Sequence, residues 1–328
     1  MKKVIMTLSV VLAGQIALAG GLWLNEGGNR GEGPGQLVPF QAESVRAVSI
    51  TGPDGTTLHL ERDNGEWVLP RSDGYPAKQS KVGNLVGQLT SIEPGLPVAH
   101  AESAAARFNV GDDSFERRVA LTTASNGEVT VLIGKSAGAG RVYARRGDGD
   151  AVYEISFPAW EAGAERSAWF ATGNVAVEPS RVKRVNLPEF SMERTDDGWQ
   201  LVGESSTAIS DSKAEQLVSR LARPSFTAVS AGEAPEESPA IAYEIVTEGD
   251  QTIRFAYYSS TGDGSPRLVR QGQPWRYTVS AEQLNRIREA SPGSLHPDEQ
   301  TAGAGGGDGQ PSGQGTGSPS NADPEGRS

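Results

Sequence analysis

The sequence predicts an α+β fold with antiparallel sheets, built from two tandem copies of one hairpin, helix and antiparallel-strand unit, on three observations. The first is a repeat. Glu61, Arg62, Trp67 and Leu69 return as Glu193, Arg194, Trp199 and Leu201, at the spacing of 132 residues that separates Trp67 from Trp199. Ser80, Lys81, Leu85, Val86 and Leu89 return at the same spacing as Ser212, Lys213, Leu217, Val218 and Leu221. A shared tryptophan followed by a shared helical pattern implies one structural unit used twice. The second observation is a change of apolar period within each copy, from two to three or four, which marks a strand-to-helix transition. The third is that tight-turn sequences join successive strands and strands outnumber helices, which favours antiparallel sheets.

In the first copy, Val45, Val48 and Ile50 lead into the turn Pro53-Asp54-Gly55, and Leu58 and Leu60 alternate toward Asn64-Gly65 and Trp67-Val68-Leu69. Asn-Gly between alternating apolar residues is a strong hairpin signal. Val82, Leu85, Val86, Leu89 and Ile92 then form a helical stripe that Pro94-Gly95 ends. Strands follow at Val119 to Thr123, Val129 to Ile133, Val142 to Arg145 and Val152 to Ile155, then a second helix near Pro158 to Arg166. In the second copy, Val182, Val185 and Leu187 precede Met192, and Asp197-Gly198 supplies a turn whose glycine is displaced by one position, so the two loops are expected to differ. Ala214, Leu217, Val218 and Leu221 repeat the stripe, and Pro224 ends it. Strands at Ile241 to Thr247, Thr252 to Tyr257, Leu268 to Arg270 and Tyr277 to Val279 precede a helix at Ala281 to Ala290. The expected units are residues 41–175 and 176–295.

Both ends differ from this body. After Met1-Lys2-Lys3 an apolar run extends from Val4 to Leu24, broken by Thr7, Ser9 and Gln15. Roughly 20 apolar residues cross a bilayer as a helix, so residues 1–25 read as a signal anchor or signal peptide. Lys2 and Lys3 place the N-terminus in the cytoplasm and export the rest. Ala17-Leu18-Ala19 before Gly20 fits signal-peptidase cleavage, whereas Leu22-Trp23-Leu24 prolongs the run and favours a retained anchor. The expected location is a bacterial inner membrane, with one N-terminal pass and the body outside the cytoplasm. Residues 26–40 read as a flexible spacer. Residues 296–328, rich in Gly, Ser and Pro with acidic residues, read as a disordered tail.

Composition excludes several functions. The formal net charge is -11, and no Lys or Arg run interleaves with aromatics, so nucleic acid is not an expected partner. With Cys 0, there are no disulfides, thiolate metal sites or cysteine nucleophiles.

The motifs that mimic active sites fail on context. Gly134-Lys135-Ser136-Ala137-Gly138 matches the G-x-S-x-G elbow of hydrolases, but that elbow must enter a helix, and here another strand is expected at Val142-Tyr143-Ala144. A hydrolase using Ser136 therefore stands only as an alternative. Gly134-Lys135-Ser136 lacks both the earlier glycine and the helix of a phosphate loop, since position 129 is Val. Ser180-Arg181-Val182-Lys183 spells S-x-x-K without its companion motifs, and Asp148-Gly149-Asp150 is too short for an EF-type calcium loop and reads as a turn. Arg146-Gly147-Asp148 falls in the same turn. His59, His100 and His296 are scattered. Trp67 and Trp199 are duplicated, which favours core anchors over glycan platforms. No catalytic, cofactor or metal residue is assigned.

Taken in order, the N-terminal membrane segment, the V-x-x-V strands, the D-G-x-W-x-L hairpin, Tyr75-Pro76, Phe108-Asn109-Val110-Gly111, and Leu132-Ile133-Gly134 before Val142-Tyr143 resemble the DUF4340 domain proteins. The resemblance implies an envelope-facing accessory protein whose partner is an ABC-transporter permease or a GldG-like envelope protein at the inner membrane. It carries no catalytic residue and no cofactor. A structural protein binding glycan is a further alternative. The segments expected to carry function are those that differ between copies: Gly134 to Arg141, Phe226 to Ala240, and the cleft between the units.

Overall fold

The computed structural model describes residues 36–100, 102–125, 127–203, 209–259 and 264–297. The expected anchor, all but the last five residues of the spacer and nearly all of the tail lie outside them. Among the described residues no helix is long and apolar enough to cross a membrane.

The chain forms β1 (Val45–Thr51), β2 (Thr57–Asp63), β3 (Glu66–Leu69), β4 (Tyr75–Pro76), α1 (Gln79–Ser91), β5 (Ala99–His100), α2 (Glu102–Phe108), β6 (Val110–Gly111), β7 (Ser114–Phe115), β8 (Arg117–Thr123), β9 (Glu128–Gly138), β10 (Arg141–Arg146) and β11 (Ala151–Ser156). It continues with β12 (Val182–Asn186), β13 (Ser191–Thr195), β14 (Gly198–Leu201), α3 (Asp211–Ala222), β15 (Ala228–Ala231), β16 (Ile241–Thr247), β17 (Thr252–Tyr258), β18 (Arg267–Arg270), β19 (Trp275–Thr278) and α4 (Ala281–Arg288). The result is an α+β fold with two large antiparallel sheets and few helices.

The first sheet runs β4-β3-β2-β1-β8-β9-β10-β11-β5 and the second β14-β13-β12-β16-β17-β18-β19-β15. Leaving out the edge strand β4, the two orders correspond strand for strand. Even an irregularity recurs: the β1–β8 register shifts between Val45 and Ala47, and the β12–β16 register between Val182 and Arg184. Opposite each shift sits a buried threonine, Thr123 or Thr247, whose hydroxyl bonds into the following turn. A bulge strengthens local twist, so the same bulge in the same strand curls both sheets alike.

Alternation builds the inner faces. Val48, Ile50, Leu58, Leu60, Val119, Leu121, Val131 and Ile133 are buried together with Val82, Leu85, Val86 and Leu89 of α1. In the second half Val185, Met192, Tyr243, Ile245, Phe255 and Tyr257 meet Ala214, Leu217, Val218 and Leu221 of α3. The two tryptophans anchor these layers. Trp67 and Trp199 are 3% and 5% exposed, and each lies under the arginine directly across the hairpin, Arg62 or Arg194. The Trp67 backbone N–H donates to Gln79 Oε1 (2.8 Å), and the Trp199 N–H donates to Asp211 Oδ1 (2.6 Å). The first residue of each helix thus takes the backbone amide of the tryptophan it packs beside, so neither buried main-chain donor is left orphaned.

The hairpin turns differ, as the displaced glycine implied. Asn64 and Gly65 both have positive φ, as a type I′ turn requires, whereas Gly198 alone does so at the second turn, with φ +116°. A Cβ on Gly198 would lie 2.5 Å from Asp211 Oδ1, so glycine is needed for space as well. One expectation fails. Residues from Pro158 to Arg166 form no α-helix but 3-10 turns at Ala159–Ala162 and Arg166–Trp169, separated by extended Gly163. The segment lacks a helical stripe. Trp160 stays in solvent, while Trp169 is fully buried, donates Nε1–H to Gly163 O and holds Lys81 over its ring.

Aromatic side chains join the two halves. Tyr75 is buried and meets Phe170, Phe226, Trp275 and Tyr277 at centroid separations of 5.6, 6.2, 4.9 and 6.0 Å. Asp73 Oδ2 accepts from Ala231 N (2.9 Å), and Val177 N donates to Ala222 O (2.7 Å). The space between the expected units is therefore packed core.

Candidate functional site

The outward faces of the two sheets distinguish the halves. Inward residues of β8 and β9 correspond to those of β16 and β17 at the spacing of 124 residues that separates Leu132 from Ala256, because Arg118 pairs with Leu132 as Ala242 pairs with Ala256. The same spacing relates Gly134 to Tyr258 and Arg145 to Val269.

In the first half the chain roofs its own sheet. Between β5 and β8 it inserts α2 and the β6–β7 hairpin, whose Ala105 and Val110 form a second small core with Leu132 and Val152, with Phe108, Phe115 and Tyr143 packed around it. Gly134 makes this possible. A Cβ there would lie 2.1 Å from Phe108 O, 2.6 Å from Asn109 O and 2.7 Å from Val110 Cγ1. Glycine allows that close approach of backbone to sheet, and Asn109 reaches it with φ +56°. Two arginines fasten the roof. Arg145, 8% exposed, donates Nε–H to Val110 O (2.7 Å) and pairs with Asp112 (2.9 Å), while Arg118 donates to Asp112 O.

In the second half the connection from Gly232 to Ala240 is shorter and contributes Ala234 to the wall of a cleft of about 520 Å³. Its floor is Ala242, Ala256, Tyr258 and Val269, and Leu187 and Pro188 close one side. A polar constellation stands on the same face. Arg254 Nε donates to Glu244 Oε1 (2.6 Å), and Asn186 Nδ2 donates to Glu244 Oε2 (3.3 Å). These two hydrogen bonds, Arg254's first, hold the Glu244 carboxyl below its ordinary pKa. A cleft of this size, mostly apolar with a few convergent polar groups, has the character of a binding site.

The motif residues fall elsewhere. Ser136 lies within β9, exposed, and its Oγ accepts from Gly138 N (3.2 Å), while Lys135 Nζ donates to Arg107 O. The glycine-rich stretch is mostly strand, so the expected loop from Gly134 to Arg141 shrinks to a turn at Ala139 and Gly140, both at positive φ. Lys183 pairs with Asp250 at 3.0 Å, and Ser180 sits in a 3-10 turn. Arg146 and Asp148 grip each other across their turn (2.6 and 2.9 Å), and that hydrogen bonding lowers the Asp148 pKa. His59 is half-buried in β2, His100 pairs with Asp150 at 4.0 Å, and His296 lends its carbonyl to Lys213. Among the described residues no group of three or more His, Asp or Glu is placed to hold a metal ion.

Of the three segments expected to carry function, only Phe226 to Ala240 borders the cleft, and only through its later part, since Phe226 belongs to the aromatic seam. The roof, its absence from the second half and the cleft floor escaped the sequence reading. A signal was present in β16 and β17, where Ala242 and Ala256 alternate with Tyr243, Phe255 and Tyr257: one face large, the other small.

A family model described as Domain of unknown function (DUF4340) matches residues 67–241, just over half of the chain. The match begins in β3 and ends at the first residue of β16, so it crosses from one sheet into the other. No curated protein and no solved structure matches the chain.

Proposed function

Because the chain belongs to the DUF4340 family, we propose that it is a non-enzymatic binding or adaptor module, held outside the cytoplasm by its N-terminal apolar segment and serving an ABC-type transport system. In this reading the halves are tandem copies of one unit, about residues 41–175 and 176–295, of which the second leaves its outer face open for a partner. The open cleft of about 520 Å³ on the second sheet, beside the roofed face of the first, carries the reading. The anchor rests on the run from Val4 to Leu24, and the transporter on the family resemblance.

Co-purification tests it. From cells expressing the whole locus, membranes solubilised mildly are expected to yield the tagged chain together with a permease or a GldG-like envelope component. Recovery of the chain alone, or from a soluble cytoplasmic fraction, counts against the proposal. The hydrolase alternative predicts an esterase activity that Ser136→Ala abolishes. The exposed strand position of Ser136 favours no such loss.

A further inference from the structure

The open cleft is the second half's counterpart of a surface that the first half covers with its own chain, and the substitutions between them indicate what covers it. Where the first half has Arg118, Leu132 and Arg145, the second has Ala242, Ala256 and Val269. The two arginines that fasten the roof are thus the ones replaced. A sheet face left to water gains nothing from exchanging arginines for apolar residues, whereas burial of that face by another surface does. Small residues on the floor also make room that Leu132 fills in the first half. Tyr258 stands at the position equivalent to Gly134, over which the Phe108–Val110 backbone passes in the first half, so a guest lies farther along, over Ala242, Ala256 and Val269.

The rim adds a sign of charge. The connection carries Glu233, Glu236 and Glu237, all exposed, against Arg276 packed beneath Gly232. On the facing wall Glu244 already engages Arg254. The connection that brings Ala234 to the cleft wall is therefore acidic, and it favours a guest with basic flanks.

Resting on the adaptor reading, we propose that this cleft docks a short apolar segment of a partner protein, with an aromatic anchor and basic flanking residues, doing for the second sheet what α2 and β6 do for the first. The first half supplies the pattern of such a segment: Ala104, Ala105, Phe108 and Val110 against Leu132, Tyr143 and Val152.

The probe is a fluorescein-labelled peptide carrying residues 103–111 of this chain between two pairs of lysines, titrated by anisotropy against the full chain in lipid nanodiscs, with empty nanodiscs subtracted. Saturable binding is expected. Replacing the peptide's phenylalanine with alanine is expected to weaken it about tenfold, as loss of an aromatic anchor does. Ala256→Arg, which puts a long charged side chain on the floor, is expected to weaken it at least about tenfold. The double variant Glu236→Lys, Glu237→Lys alters only exposed positions, and its urea midpoint is expected to match that of the unaltered chain. It is expected to weaken binding about threefold or more at low salt and to flatten the salt dependence.

No saturable binding, or binding indifferent to the phenylalanine and to both variants, overturns the proposal. An apolar dye that fills the cleft without displacement by the peptide assigns it to small molecules instead. A concentration-dependent dimer abolished by Ala256→Arg assigns it to a second copy of the chain. If transporter components still co-purify with Ala256→Arg, the cleft proposal fails while the adaptor reading stands. If the peptide binds but nothing co-purifies, the reverse holds.

Discussion

Replacing Gly134 with alanine tests how the first half closes over its own sheet. The new Cβ would lie 2.1 Å from Phe108 O and 2.6 Å from Asn109 O, the first of these more than about 1.3 Å inside ordinary contact distance. Both obstacles are backbone, so no side chain can swing aside. Either β9 moves, or α2 and β6 lift and expose Ala105, Val110, Leu132 and Val152. Overpacking typically costs about 1–3 kcal/mol, and a clash against backbone on two sides belongs at the upper end, so about 3 kcal/mol is expected. Urea unfolding followed by tryptophan fluorescence measures the loss. Hydrogen exchange locates it, with faster exchange expected across residues 102–115 and little change in the second half. Gly138→Ala is the control: its φ of +85° imposes a backbone strain that Gly134 lacks, but nothing lies within 4 Å of the new carbon, so only about 1–2 kcal/mol is expected. A Gly134→Ala loss no greater than that of Gly138→Ala, with unchanged exchange over 102–115, would refute the close-approach argument.

Gln79→Ala removes the acceptor of the Trp67 amide and the donor to Trp67 O and Ala77 O. A loss of about 1–3 kcal/mol is expected in chemical denaturation, with Gln79→Glu recovering part of it, since Asp211 serves Trp199 through a carboxylate alone. Tyr75→Ala opens the seam between the halves and is expected to cost about 3–5 kcal/mol, with raised hydrogen exchange on both sides of it. Tyr75→Phe keeps the ring and loses the bond from its hydroxyl to Ala171 O, about 1 kcal/mol. Equal losses for the two variants would deny the ring packing its role. The Glu244 carboxyl, held below its ordinary pKa first by Arg254 and then by Asn186, is expected to titrate below the usual glutamate range by NMR. Its contribution to stability is present above the unfolded pKa and is lost as pH falls through the lower folded one. Arg254→Gln is expected to raise the midpoint, and an unmoved midpoint would exclude the pair as the cause.

The features legible in the sequence are those carried by local period and by turn chemistry. The stripe at Leu85 and Leu89, the turns at Asn64-Gly65 and Asp197-Gly198, and the recurrence of Trp67 as Trp199 all act within a few residues, and each stands where periodicity placed it. Edge strands such as β4 and β5, only two residues each, carry no readable period. The helix α2 is one short turn-rich segment, whose reason for existing is a sheet face folded from residues that follow it. Gly134 stands in a glycine-rich stretch that has the composition of a loop, whereas its role is to leave space for residues 108–110. Such a role is visible only when both segments are in place.

The same limit bears on the candidate site. A duplicated residue is evidence of shared structure, as the two tryptophans demonstrate by making the same amide bond to the first residue of the helix beside each. Function is then expected where equivalent positions diverge without damage to the shared core. Arg118 and Arg145 pass that test, since their loss leaves Val119, Ile133 and Ala144 matched by the buried Tyr243, Tyr257 and Leu268. The inner face has kept its apolar character with larger side chains, while on the outer face the floor of the cleft has Ala242 and Val269 in place of Arg118 and Arg145, and the Glu244–Arg254 pair stands beside it where the first half has Ala120 and Thr130. Drift under structural constraint alone would relax an exposed face toward polar residues, because solubility penalises the opposite change. A patch at Ala242, Ala256 and Val269 that is smaller and more apolar than its counterpart, under a shorter connection, is under a different constraint, and contact with another molecule supplies one.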